Sequence, residues 1–127
     1  MRNAINWFEI PATNFDRAVA FYSAVLGAPV HAGEFQGVPH GFLPADEGGV
    51  AGAIIAGAVV AGGDANPGHA GPVLYLNAGD QIEAIVARVE AAGGQVLAPP
   101  TPIGPQGMVA IFRDTEGNRV GLHQPPM

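Results

Sequence analysis

The sequence predicts an α+β fold: two βαβββ modules forming a curved open mixed sheet with a concave cleft. Three observations lead there. Two helix-like segments superpose at an offset of 67 residues, with Phe15 on Ile82, Val19 on Val86, Tyr22 on Val89 and Gly27 on Gly94. The strand-like segments before them, "WFEIP" and "VLYLN", superpose at an offset of 66, so the second strand-to-helix turn carries one inserted residue. Three further strand-like segments follow each helix. A helix with one apolar stripe and a sheet with one apolar face must each be covered. Two such modules side by side put their helices on the outer face and leave the inner face as a cleft, where a ligand pocket is expected.

Each element has a local reason. Residues 5–11, "INWFEIP", are aromatic and β-branched and stop at Pro11, as a strand would. "TNFDRAVAFYSAVLG" follows. Phe15, Ala18, Val19, Tyr22, Val25 and Leu26 recur there at helical spacing. Thr13 with Asp16 resembles a capping box, and Gly27 then Pro29 stop the helix. "PVHAGEFQG" and "VPHGFLPA" read as two strands turning near Gly37. "GVAGAIIAG" (49–57) reads as a fourth strand, too glycine-rich for a stable helix. Residues 61–72, "AGGDANPGHAGP", are loop by composition.

The pattern then returns. "PVLYLN" (72–77) is a strand. Residues 80–94 form a helix with Ile82, Ile85, Val86 and Val89 apolar, Asp80 and Glu83 as capping box, and Gly93-Gly94 as stop. "QVLAPPTPI", "MVAIFRD" and "RVGLHQ" are three more strands. Prolines 99, 100 and 102 place the first of these at an edge or a bulge. The 127 residues form a single domain, with module one at about 1–60, a linker at about 61–71 and module two at about 72–127.

Composition narrows the function. Apolar residues make up 48% and charged residues 13%, sparse for a soluble monomer, so some apolar surface is expected to meet a second copy. Net charge is −6 with 5 basic residues and no basic cluster, which argues against nucleic acid and anionic membrane as partners. The absence of cysteine excludes disulfides, thiolate metal sites and a cysteine nucleophile. The only serine, Ser23, lies inside a helix, and the glycine-rich stretches lack the strand-glycine-helix context of a phosphate loop. Residues 1–4 lack a signal-peptide core, and the longest apolar run, 50–63, is too short to span a bilayer; a cytoplasmic location is expected.

The segments "WFEIPATNFDRAVAFYSAVLG", "YLN…IEAIVARVEAAGGQV" and "FRDTEGNRVGLHQ" resemble the vicinal oxygen chelate superfamily: glyoxalases, extradiol dioxygenases and fosfomycin- and bleomycin-resistance proteins. The likeness spans nearly the whole chain and is closest to the short glyoxalase-like members. It implies a homodimer. Metal-dependent members place His, Gln or Glu ligands on the first and last strand of each module, facing the cleft. A divalent ion that polarises two adjacent substrate oxygens needs three or four such ligands and open positions besides. The matching positions are Trp7, Val73 and Gly121, and the fourth lies in residues 49–63, which contain no Asp, Glu, His, Asn or Gln. No cofactor is therefore expected.

Strand alternation puts Trp7 with Glu9, Tyr75 with Asn77, and His123 on the cleft side; His40 could join them. Trp7 and Tyr75 suit stacking on a flat organic ligand, or else they plug the space that a metal left. Glu9 is either a cleft carboxylate acting as base or a carboxylate hydrogen-bonded to hold the fold. His123 is either a base or a hydrogen-bonded rim histidine. The expected catalytic residues are Glu9 and His123, and the expected ligand-binding residues are Trp7, His40, Tyr75 and Asn77. His31 and His69 are expected at the surface. The turn 114–118 is expected to be structural, with Asp114 as its cap. The expected function is metal-independent binding of a small organic molecule. The alternative is a glyoxalase-like lyase or isomerase whose non-standard divalent-metal site uses Glu9 and His123.

Overall fold

A computed structural model describes residues 4–45, 51–56 and 66–126. The chain runs β1 (Trp7–Ala12), α1 (Phe15–Leu26), β2 (His31–Phe35), β3 (Val38–Phe42), β4 (Ala51–Ala56), β5 (Leu74–Asn77), α2 (Ile82–Val89), β6 (Gln95–Pro102), a 3-10 turn (Gly104–Gln106), β7 (Met108–Arg113) and β8 (Arg119–Gln124). The expected βαβββ order is thus present twice. The linker expected at about 61–71 falls partly outside the described residues.

Each module builds a four-stranded sheet on the same plan. The first has the order β1-β4-β3-β2 and the second β5-β8-β7-β6. β1 runs parallel to β4 and β5 parallel to β8, while the other neighbours are antiparallel. Proline-rich β6 is an edge strand, and its pairing with β7 shifts register between Val96 and Ala98 and again before Thr101. Three ring nitrogens that cannot donate leave no other place for it.

The helix bounds were partly legible in sequence, although α2 runs only to Val89 with Glu90 at its C-cap, short of the expected Gly93-Gly94 stop. In α1 the cap is Asn14, not Thr13: Asn14 Oδ1 accepts the Arg17 N–H at 3.0 Å. Gly27 closes the helix at φ 67°. In α2 neither Asp80 nor Glu83 caps. Gln81 occupies the cap position without a side-chain cap bond, and the Ile82 N–H donates to Gln124 Oε1 on β8 at 3.1 Å. A remote strand satisfies a donor that the local sequence leaves open.

One core joins the modules. Ala18, Phe21, Tyr22 and Val25 of α1 and Ile82, Ile85 and Val89 of α2 are buried against Ile10, Ile54, Phe112, Val120 and Leu122 of the two sheets. Phe21, outside the stripe read from sequence, lies 5.9 Å from the Phe112 ring and packs against Gly94, both in the other module.

The turn 114–118 locks this packing. Asp114 Oδ1 accepts the N–H groups of Glu116 and Asn118 at 2.8 and 2.9 Å, and its Oδ2 accepts the buried Tyr22 hydroxyl at 2.6 Å. Burial first, and then the charge and hydrogen bond of Asp114, raise the Tyr22 pKa well above 10.0, so the phenol remains a donor. Glu116 bonds Arg17 Nε at 2.7 Å and the Asn14 N–H at 2.7 Å. Burial alone would raise the Glu116 pKa, but the bonds from Arg17, Asn14 and Thr115 together outweigh it and lower the value. The turn is structural, as expected, and its reach across the module boundary is an addition.

Candidate functional site

Strand partners in register share a face of the sheet. Ile10 pairs with Ile54, and Leu76 with Leu122, on the face that the helices cover. The opposite face therefore carries Trp7 and Glu9 of β1, His40 and Phe42 of β3, Tyr75 and Asn77 of β5, and Arg119, Gly121 and His123 of β8. All six residues singled out from sequence stand on the helix-free faces, three on each sheet.

Their surroundings differ. Trp7 is 44% exposed, and its indole Nε1 donates to Glu9 Oε2 at 3.3 Å. Tyr75 is 48% exposed, and one side of its ring lies flat on Gly121, its register partner. A Cβ at residue 121 would stand 2.6 Å from Tyr75 Cε1, so only glycine fits beneath the ring. Asn77 Oδ1 accepts the Gly79 N–H at 2.8 Å and so braces the turn into α2. His123 Nε2 lies 2.7 Å from the Gln106 carbonyl, which requires the proton on that nitrogen. His40 is only 8% exposed, with Nδ1 2.9 Å from the Val38 carbonyl and its ring stacked on Phe42. His31 and His69 are exposed.

Two cavities flank the seam between β1 and β5, the outer strands that face no hydrogen-bonded neighbour there. One, of about 180 Å³, is lined by Glu9, Pro11, Asn66, Asn118 and Arg119 among others. The other, of about 830 Å³, is an apolar groove walled by Ile5, Phe8, Leu26, Leu43, Leu74 and Ile85 and edged by Tyr75 and Asn77. Trp7, His40 and His123 line neither, and neither is lined by both Glu9 and His123.

Arg119 was missed in the sequence. It stands two residues before Gly121 on β8, so the alternation that selected His123 also selects it. Its Nε is buried and has no hydrogen-bond partner among the described residues, while its Nη2 reaches the Gly71 carbonyl at 3.4 Å.

The donor set does not fit a divalent metal. Among the described residues no three of His, Asp and Glu are grouped to hold one. Trp7 and Val73 offer no ligand atom, and the residues of β4 on the same face, Ala51, Ala53 and Ile55, offer none either. Gly121 has no side chain, and the Tyr75 ring occupies the space where one would project. The rest of residues 49–63 lies outside the described residues.

Residues 4–122 match the family model of the Glyoxalase/Bleomycin resistance protein/Dioxygenase superfamily. The chain belongs to that superfamily. A curated relative in Mycobacterium tuberculosis, CFP32, whose name marks it as a candidate glyoxylase, is 31% identical over 121 residues. That match covers 94% of this chain but only 44% of CFP32, so the chain spans less than half of this relative. Among solved structures, a glyoxalase/bleomycin resistance protein from Albidiferax ferrireducens T118 aligns with a TM-score of 0.75 at 20% identity, covering 98% of this chain and 100% of its own. TnmS3, an antibiotic binding protein from Streptomyces sp. CB03234, aligns with a TM-score of 0.66 at 22% identity, covering 98% and 97%. No helix among the described residues is long and apolar enough to cross a membrane.

Proposed function

We propose that this superfamily member binds a small, flat organic molecule against Trp7 and Tyr75 and does so without a divalent metal. The observation that carries the reading is the Tyr75 ring seated on Gly121. It fills the space of the missing ligand and at the same time offers an aromatic face to the cleft. The fold neighbour TnmS3 is an antibiotic binding protein, so this architecture can hold an organic molecule. Aromatic walls favour offset stacking, and Glu9 fixes the angle of the Trp7 indole.

Trp7 is the chain's one tryptophan, so its fluorescence reports this site alone. A panel of planar aromatic compounds should contain one that quenches or shifts it saturably, with the same midpoint before and after EDTA. A midpoint that EDTA abolishes and a divalent ion restores would overturn the reading.

A glyoxalase-like lyase or isomerase is the second reading, favoured by the name of CFP32. It needs Glu9 as a base, and it predicts turnover that Glu9→Gln removes. Among the described residues no three of His, Asp and Glu are grouped to hold a metal, which ranks it behind binding. Association as a homodimer belongs to the same proposal: apart from the two aromatic walls, Ile5, Phe42, Leu97 and Ile103 are each at least 39% exposed, which suits burial against a second copy.

A further inference from the structure

The smaller cavity has features that the aromatic reading does not use. It opens where, among the described residues, no strand ladder joins the first and second sheets, and its floor is apolar: Ile10, Leu74 and Val120. Two charged side chains line it, Glu9 and Arg119. They form no ion pair among the described residues. Glu9 gives one oxygen to Trp7. Arg119 keeps a buried Nε–H that bonds nothing among the described residues. Among those residues the outer edge of the same guanidinium makes only a long bond, from Nη2 to the Gly71 carbonyl at 3.4 Å, which leaves donor capacity for an anionic group brought by a ligand. Asn118 stiffens the wall. Its Nδ2 donates to the Pro11 carbonyl at 2.8 Å and its Oδ1 accepts the Gly68 N–H at 3.0 Å, so β1, the loop and β8 hold one shape.

We propose that this seam pocket binds a small zwitterion, its carboxylate on the Arg119 guanidinium and its ammonium group on the Glu9 carboxylate. A plain anion would face Glu9, and a plain cation would face Arg119; a molecule carrying both charges meets each with its opposite. The volume of about 180 Å³ admits a molecule of a few heavy atoms or the amino-acid end of a larger one.

The test is amide NMR on the full chain, with glycine, acetate and methylamine as probes. Glycine should shift the amides of Gly68, Asn118 and Val120 saturably, and acetate and methylamine should each bind about tenfold more weakly or worse. Arg119→Gln should keep a dispersed spectrum and lose glycine affinity by about tenfold or more. Should that variant not fold, Glu9→Gln serves instead, because it should erase the preference for glycine over acetate. Absence of any saturable glycine shift, acetate binding as tightly as glycine, or unchanged binding in Arg119→Gln would each overturn the proposal. None of these results depends on Trp7 fluorescence, so the seam pocket and the aromatic wall can fail separately.

Discussion

Replacing Gly121 with alanine tests whether Tyr75 really occupies the place of the absent ligand. In a free strand, glycine to alanine should stabilise by roughly 0.5–1 kcal/mol, because alanine loses less backbone entropy on folding. Here the new Cβ would stand 2.6 Å from Tyr75 Cε1, well inside contact distance. Tyr75 is 48% exposed, so its ring can swing toward solvent and the strand need not strain. What is lost is the buried half of the side chain, about 100 Å², or up to about 2.5 kcal/mol at 25 cal/mol per Å². The net expectation for Gly121→Ala is a destabilisation of about 1–2 kcal/mol. In a Tyr75→Ala background the same substitution should be neutral or slightly stabilising. The cycle therefore predicts a coupling of about 1–3 kcal/mol, above the roughly 0.5 kcal/mol scatter of independent sites. Urea denaturation of the four proteins, with midpoints compared at a shared slope, measures it. Additivity within that scatter would show that Tyr75 does not sit on Gly121 in solution.

Tyr22→Phe removes the buried donor to Asp114 and should cost about 2 kcal/mol by the same denaturation assay, the range for a hydrogen bond to a charged group. Asn14→Ala removes the α1 cap and should cost about 1 kcal/mol, read as a lower urea midpoint. The folded-state pKa of Glu116 is lowered from 4.5, so its contribution is complete above that value and is lost as pH falls through the folded one. The stability gap between wild type and Glu116→Gln should hold steady near neutral pH and close in acid; a gap that widened in acid would contradict this.

The fold was legible because both modules repeat one pattern of apolar spacing and stop signals. Helical spacing found α1 and α2, and prolines 99, 100 and 102 marked β6 as irregular. What escaped lay between the modules. Phe21 is buried by Phe112 and Gly94, the Arg17–Glu116 pair joins residues 99 apart, and Gln124 caps α2 from a strand 42 residues on. Local windows carry no trace of such partners. The α1 cap is Asn14 beside the expected Thr13, a local choice between neighbours, whereas at α2 a tertiary bond from Ile82 N–H to Gln124 replaces the cap expected of Asp80. At the site, strand alternation placed Trp7, Glu9, Tyr75, Asn77 and His123 on the helix-free faces, and His40, which could only be offered as joining them, stands there too. It could not say that His40 would be buried on Phe42, that Asn77 would brace a turn, or that Gln106 would hold His123. The vacancy at Gly121 could be read from the sequence; the ring that fills it could not.

Metal content tests the central claim most directly. Untagged protein would be produced with added Ni, Zn, Mn and Fe, dialysed, and analysed by elemental mass spectrometry against protein concentration. The account predicts no metal near stoichiometry, and Trp7 as the reporter of whatever the cleft binds. One equivalent of a single divalent metal per chain, lost in Glu9→Gln or His123→Ala, would contradict it and would bring the lyase or isomerase reading to the front.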